Sequence, residues 1–420
     1  MFRAPRGTQD ILPDEATRWR RLEAAARGWA ELYGYGEIRT PTFEELGLFL
    51  RGVGEATDIV EKEIYAFRDK GGDWLALRPE ETAPVVRAYL QHGLFNRPQP
   101  VKLYSIVNVF RYDRPQAGRF REFRQLNCEA LGEDDPIVDA ELAALLWRFL
   151  EDLGLRDLSL QLNSIGDSVC RPGFVEALVA YYRGHLYEIC ADDRRRLETN
   201  PMRLLDCKQP RCQPIIEGAP RTVDYLCGPC AEHFERLRAY LADEGLAHQI
   251  NPRLVRGLDY YTRTVWEVWP PEAGAQSTLG GGGRYDGLAE QLGGRPTPAV
   301  GFAAGLERIL LTLEKQGLAP GEAESGLAFL APLGQPAKRE LNRLADRLRR
   351  RGVPATVGTG DRSLKALLRQ ADAIGARWAL VMGDQELAEG KVALRDLRTS
   401  EQRGLPVEVV VDELAPEVPA

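Results

Sequence analysis

Several stretches of the chain combine residue types able to do chemistry. Leu254 to Thr264 (Leu-Val-Arg-Gly-Leu-Asp-Tyr-Tyr-Thr-Arg-Thr) packs cations, an acid, two phenols and a glycine into eleven residues. Arg256 offers donors in a rigid fork suited to phosphate or carboxylate, and Asp259, Tyr260 and Tyr261 are able to orient an amine or an imidazole. A plain strand with its hairpin is the competing reading, because Tyr and Thr favour strands. Between Phe110 and Phe123 stand Arg111, Arg114, Arg119 and Arg121. Such a density of cations repels itself unless a polyanion lies among them. A triphosphate suits the pattern: arginines neutralise the charge that develops as an α-phosphate is attacked, and Phe123 offers a ring for a base to stack on.

Thr278 to Gly287 carries four consecutive glycines, Gly280 to Gly283. They allow a ligand close to the backbone but match neither the phosphate loop nor the dinucleotide fingerprint. Pro298 to Arg308 reads as a strand, a glycine-rich turn and a helix, with Arg308 projecting from the helix start toward the same pocket. Six of the seven cysteines (Cys170, Cys190, Cys207, Cys212, Cys227 and Cys230) fall between positions 170 and 230. Cys207-x4-Cys212 and Cys227-x2-Cys230 are spaced to give four thiolates to a tetrahedral zinc, with Cys170 and Cys190 as further candidates. Reduced thiols without a metal are the other reading. A catalytic cysteine is the least favoured reading, since the chain has only four histidines to activate one.

These residues need elements to hold them. Apolar residues at Ala16, Trp19, Leu22, Ala25, Trp29 and Leu32 predict a helix over 14–33, with Asp14 as N-cap and Gly34 and Gly36 closing it. An edge strand over 37–42 ends at Pro41, which has no N–H for a ladder. Val101 to Arg111 and Phe123 to Leu131 predict antiparallel strands around a long loop. A helix over 137–153 and an alternating strand over 158–163 follow. From 167 to 249 the pattern is helical, charged and cysteine-bearing, like a unit inserted between two sheet-rich halves, and sheet returns from Ile250 through Trp269. The small, proline-containing stretch 317–326 predicts a domain boundary. Beyond it come a strand over 327–331, a helix over 336–351 with a basic outer face, a strand over 355–358, a helix capped by Ser363, a strand over 378–382 and a hairpin over 391–411. That order implies a small α/β domain with a mixed sheet.

The chain has 420 residues, 44% hydrophobic and 28% charged, which suits a globular protein of two or three domains. A net charge of −7 neither advertises nor excludes a nucleic-acid partner, because local basic surfaces suffice. The amino end shows no signal-peptide core, and no apolar run reaches the ~20 residues that span a bilayer. A cytoplasmic protein without membrane contact is the expectation.

Three ordered segments resemble motifs one, two and three of the class II aminoacyl-tRNA synthetases: Thr40-Pro41, the Phe110-Arg111 strand-loop-strand, and Gly305-Leu-Glu-Arg308. Arg6-Gly-Thr-Gln-Asp10, Thr57-Asp-Ile-Val-Glu-Lys62, Arg78-Pro-Glu80, Leu254–Thr264, Gly280–Gly287 and Ala299–Ala303 are similar to the signatures of the histidine-specific family, over nearly the full length. The resemblance implies an α+β catalytic core, an antiparallel sheet with helices, formed by 1–166 and 250–320. It also implies a helical insertion at 167–249 and a C-terminal α/β anticodon-binding domain at 326–420. It further implies a homodimer that joins L-histidine to tRNA(His), using ATP and Mg2+.

Carried over by the resemblance, histidine recognition falls to Glu80, Thr82, Gln125, Glu129, Tyr260 and Tyr261. Arg111 and Arg256 hold the histidine carboxylate, the α-phosphate or both, with Arg256 the main catalytic residue and Arg111 also catalytic. Arg119, Phe123 and Arg308 grip the rest of the nucleotide, and Gln116 faces the tRNA acceptor end. The chain departs from the family pattern at Glu81, at Val107-Asn-Val109 and at Arg124. A rival within the same resemblance is a histidine-binding regulatory paralogue subunit of ATP phosphoribosyltransferase, which does not charge tRNA. It predicts loss of the Arg256 segment and of the C-terminal domain, and this chain has both.

Overall fold

The computed structural model describes residues 2–54, 57, 59–116, 118–271, 278–318 and 326–415. The chain forms two compact units, 1–320 and 321–420. Most of the boundary expected at 317–326 lies outside the described residues.

The strands of the first unit are β1 (Gly36–Glu37), β2 (Phe43–Glu45), β3 (Ala66–Arg68), β4 (Trp74–Leu77), β5 (Val101–Phe110), β6 (Glu122–Leu131), β7 (Ser159–Ser164), β8 (His248–Ile250), β9 (Thr262–Trp269), β10 (Gly280–Arg284) and β11 (Ala299–Gly305). Eight of them form one sheet in the order β1-β5-β6-β11-β10-β9-β7-β8, and β2, β4 and β3 form a small separate sheet. The six central strands of the large sheet pair antiparallel, while β1 on β5 and β8 on β7 are parallel.

Strand alternation sends successive side chains to opposite faces. On β6, Leu126, Cys128 and Ala130 join the core cluster, with Gln125, Asn127 and Glu129 in the alternate positions. On β9, Trp266 and Val268 enter that core and Glu267 takes the other face. The core face is covered by helices Pro13–Leu32, Pro136–Asp152, Gly228–Asp243 and Leu306–Lys315, which contribute Leu22, Phe149, Leu241 and Ile309. The opposite face is thereby left for a pocket.

The first helix starts at Pro13, whose fixed φ and missing N–H suit the first turn. Leu12, not Asp14, is its N-cap, and Asp14 instead supplies negative charge inside the first turn. The strand expected over 37–42 shrinks to Gly36–Glu37. The carbonyls of Thr40 and Pro41 accept from Arg78 Nη1 at 3.1 and 3.3 Å rather than from a neighbouring strand. The sheet expected from Ile250 through Trp269 is interrupted at 251–261. There the backbone is held by other groups: Asn163 Nδ2 donates to the Leu254 carbonyl at 3.0 Å and Arg171 Nη2 to that of Tyr261 at 2.7 Å.

The second unit has β12 (Ala328–Pro332), β13 (Ala355–Val357), β14 (Trp378–Met382), β15 (Lys391–Asp396) and β16 (Gln402–Pro406), ordered β13-β12-β14-β15-β16. The first three are parallel and the last two antiparallel, so the sheet is mixed. Ser363 Oγ caps the helix Leu364–Ala373 by accepting from Ala366 N. The expected hairpin closes at Pro406. Val407, Val410 and Val411, spaced for one helical face, are the buried side of a helix, Val407–Leu414, whose other face is exposed.

Candidate functional site

One polar pocket opens on the free face of the large sheet. Its lining includes Glu80, Thr82, Arg111, Arg119, Phe123, Gln125, Arg256, Tyr260, Tyr261 and Arg308, brought together from five separate stretches of the chain. Glu129 lies one layer behind them, bonded to Thr82 and Tyr285. Gln116 is exposed on the loop between β5 and β6, bridged to Arg119, and does not line the pocket.

One end is acidic and phenolic. Glu80 precedes the helix Thr82–Gln91 and its carboxylate accepts from the backbone N–H of Thr82 at 2.8 Å and of Ala83 at 3.0 Å, the usual place for an anion at a helix start. The Tyr260 hydroxyl donates to the same carboxylate at 3.4 Å, and the Tyr260 ring packs on Tyr261 with centroids 4.7 Å apart. Thr82 Oγ1 donates to Glu129 at 2.7 Å, and the Tyr285 hydroxyl donates to its other oxygen. Burial pushes the Glu129 carboxyl up to about 8, against the pull of those two hydroxyls. Gln125 Oε1 and Asn127 Oδ1 are buried and accept no hydrogen bond within the protein. Carbonyl oxygens left this way beside a cavity favour a donor-rich ligand, since an unmet buried acceptor costs free energy.

The other end is cationic. Arg111 donates from Nε to the Pro79 carbonyl at 2.8 Å and its guanidinium lies 5.5 Å from the centre of the Phe123 ring. Arg119 pairs with Asp113 at 3.1 Å. Arg308 donates to the carbonyls of Gly118 at 3.2 Å and Thr278 at 3.1 Å. Burial, with Arg119 and Arg111 nearby, lowers the Arg308 pKa, against the opposing pull of Glu267 and Asp113. Arg256 stands between the two ends, paired with Glu267, donating to the Gly281 carbonyl at 3.3 Å and facing the Tyr261 ring at 5.6 Å. Glu267 is itself held by Trp269 Nε1 at 2.7 Å and Thr278 Oγ1 at 2.6 Å.

The glycine run forms part of this wall as β10. A methyl on Gly281 would lie 2.6 Å from the Trp266 carbonyl oxygen and 3.1 Å from Arg256 Nη1. Glycine is therefore required there by close approach. The sequence reading leaves out Asn127, Glu267 and Tyr285. The first was within reach, because Gln125, Asn127 and Glu129 share one period-two face.

Two departures from the expected pattern have structural partners. Glu81 is buried, accepts from Thr40 Oγ1 at 2.8 Å and pairs with Arg78 at 3.4 Å, and burial pushes its carboxyl up to about 7. Arg124 turns away from the pocket, 4.9 Å over the Trp19 ring and 3.8 Å from Glu23.

The four cysteines expected to share one zinc do not come together. Cys207 and Cys212 group with Cys190 and Asp193, whereas Cys227 and Cys230 group with Asp167 and Cys170. Linear spacing paired neighbours in sequence, but the fold pairs Cys207 and Cys212 with residues 14 to 22 positions earlier and Cys227 and Cys230 with residues 57 to 63 positions earlier. No nucleophilic thiol emerges at Cys212, which burial pushes up to about 11.

Residues 7–181 and 225–309 match a family model described as Histidyl-tRNA synthetase, and residues 328–417 match one described as Anticodon binding domain. A histidine–tRNA ligase of Dehalococcoides mccartyi is 50% identical over 418 residues, covering 100% of both chains. One of Pelotomaculum thermopropionicum is 50% identical over 415 residues, covering 99% of this chain and 97% of its own. The crystal structure of apo histidyl-tRNA synthetase from S. aureus superposes with a TM-score of 0.84 at 38% identity, covering 99% of this chain and 100% of the other.

Proposed function

The chain belongs to the histidyl-tRNA synthetase family, and from that membership we propose how its pocket carries out the histidine–tRNA ligase reaction. An oxygen of the histidine carboxylate attacks the α-phosphorus of ATP, the bond to pyrophosphate breaks, and histidyl-adenylate forms. A terminal ribose hydroxyl of tRNA(His) then attacks the acyl carbon and AMP leaves. No protein nucleophile takes part, so the rate enhancement rests on positioning and charge stabilisation.

The observation that carries this reading is the polarity of the pocket, with carboxylates, phenols and open amide oxygens at one end and arginines at the other. The histidine ammonium and imidazole belong with Glu80, Thr82, Gln125, Glu129, Tyr260 and Tyr261. A buried cation needs a paired anion, and Glu80 and Glu129 supply it. The α-phosphate lies between Arg111 and Arg256, whose forks grip its oxygens as negative charge builds. Arg119 and Arg308 hold the outer phosphates, and Phe123 stacks on the adenine ring. Glu267 keeps Arg256 aimed. Magnesium enters with ATP, bound through the phosphates. Gln116, on its exposed loop, meets the acceptor end of the tRNA.

The core of 1–166 and 250–320 does this chemistry, the helical insertion at 167–249 serves the tRNA, and the unit at 326–420 reads the anticodon. The protein works in the cytoplasm as a homodimer. The exposed, edge-packed ring pair Phe43 and Phe67 supports an apolar contact with a second copy. No described helix is long and apolar enough to cross a membrane.

The test is aminoacylation: purified protein, ATP, magnesium, labelled histidine and tRNA(His). Labelled tRNA that loses its histidine on mild base treatment is the expected product. Its absence, with the same tRNA chargeable by another synthetase of the family, overturns the reading.

A further inference from the structure

Two clusters of metal-ligating side chains lie outside the pocket. Asp167, Cys170, Cys227 and Cys230 each bring one ligand atom within 4.8 Å of the others, and so, separately, do Cys190, Asp193, Cys207 and Cys212. Thiolates about 2.3 Å from a tetrahedral zinc lie roughly 3.8 Å from one another. The observed separations already approach that spacing: 3.9 Å between the sulfurs of Cys190 and Cys207, 3.5 Å from Cys170 Sγ to Asp167 Oδ1, and 4.0 Å from Cys227 Sγ to the same oxygen.

A second observation comes from Asp193. Its side chain is fully buried; Oδ1 pairs with Arg196 at 3.2 Å, while Oδ2 has no hydrogen-bond partner. Among the described residues, only Arg196 and the weakly donating thiols of Cys207 and Cys212 meet this buried carboxylate, so a cation among the sulfurs would be well compensated there. Backbone amides also point at the sulfurs, from Asp193 to Cys190 at 3.4 Å, Cys190 to Cys212 at 3.3 Å and Asp167 to Cys170 at 3.4 Å. Donors of this kind orient and stabilise thiolate ligands. Disulfides do not account for either cluster, since three thiols leave one over and the carboxylate unexplained.

We propose that the segment between β7 and β8 binds two zinc ions, each held by three cysteine thiolates and one aspartate: Asp167, Cys170, Cys227 and Cys230 at the first site, and Cys190, Asp193, Cys207 and Cys212 at the second. Sulfur-rich tetrahedral sets select zinc over the hard cations. The first site joins the exit of β7 to the start of the helix Gly228–Asp243, which packs on the core helix Pro136–Asp152. Beside Cys170, Arg171 donates to the Tyr261 carbonyl, so this ion braces the phenolic end of the pocket. The second site fastens short helical turns in the stretch 182–224, which the family model leaves unmatched. Zinc there would pin turns whose apolar residues, among them Ile189, Leu197, Leu205 and Ile216, already join a buried cluster. The inference stands independently of what the pocket binds.

The full-length protein, purified without chelator from zinc-supplemented cells, is expected to carry two zinc ions per chain by plasma mass spectrometry. Cys212→Ser and Cys227→Ser are each expected to retain one ion, and the double variant none. Because a variant can fail to fold, the unmutated protein gives a second readout. Stripped under reducing conditions and titrated with cobalt(II), it should develop intense tetrahedral d–d and thiolate charge-transfer bands that saturate at two equivalents and vanish on adding zinc. Zinc far below one per chain, no cobalt bands and six thiols reacting freely in the native protein would overturn the proposal. Two ions still bound after Cys212→Ser, or a single ion in the unmutated protein that Cys212→Ser leaves in place, would remove the second site.

Discussion

At the scale of single residues, the pocket assigns opposite electrostatic tasks to neighbouring side chains. Arg256 is held by Glu267 and the Gly281 carbonyl and faces the Tyr261 ring, so its guanidinium is aimed before any ligand arrives. Arg256→Ala should slow adenylate formation on the order of 10²- to 10³-fold, the usual loss for one aimed donor, while histidine affinity measured by calorimetry changes little. An equal loss in both would make Arg256 a binding residue only. Glu129 gives a pH signature. Its carboxyl sits at about 8 in the free protein, so below that pH it is mostly protonated and unable to pair with a cation. Histidine affinity should therefore rise roughly fivefold between about pH 7 and 8 and level off above about 9, a slope that Glu129→Gln should abolish. A flat profile in the parent protein would remove Glu129 from recognition. Much of this was legible in the chain: Arg111, Arg119, Tyr260 and Tyr261 all line the pocket. Tyr285 was hidden because it follows a glycine run, and its bond to Glu129 spans 156 residues.

At the scale of elements, the site depends on how β6, β9, β10 and β11 face one another. Gly281 lets β10 pass close enough to β9 for Arg256 to lie across both. Gly281→Ala should cost about 1–3 kcal/mol in stability and reduce adenylate formation beyond what that loss explains, because the methyl meets both the Trp266 carbonyl and Arg256. A variant with a lowered melting temperature but parental activity would show that the close approach serves packing alone. The paired strands β5 and β6 could be read from alternation, since half-buried antiparallel strands write a period of two into the sequence. The stretch 251–261 could not, because Tyr and Thr favour strand conformation locally while Asn163 and Arg171 take up its carbonyls from a distance. The zinc ligands failed for a similar reason. Cysteine spacing along the chain suggested one site, whereas the aspartates that complete two clusters look like ordinary charged residues until the fold brings them to the sulfurs.

At the scale of the whole molecule, the candidate pocket and the domain matched as anticodon-binding lie in different units. Every residue lining the candidate pocket lies within 1–320, and the remaining unit has its own five-stranded sheet and its own buried clusters. A chain ending at residue 318 should still form histidyl-adenylate but lose on the order of 10²-fold in kcat/KM for tRNA, as expected when one of two linked contacts is removed. Loss of adenylate formation in a folded truncation would contradict that division. The central claim, that this pocket activates histidine rather than only binding it, is tested most directly by pyrophosphate–ATP exchange with the purified full-length protein and no tRNA. The account predicts exchange that depends on histidine and is absent with other amino acids. Histidine binding seen by calorimetry without any exchange would contradict it.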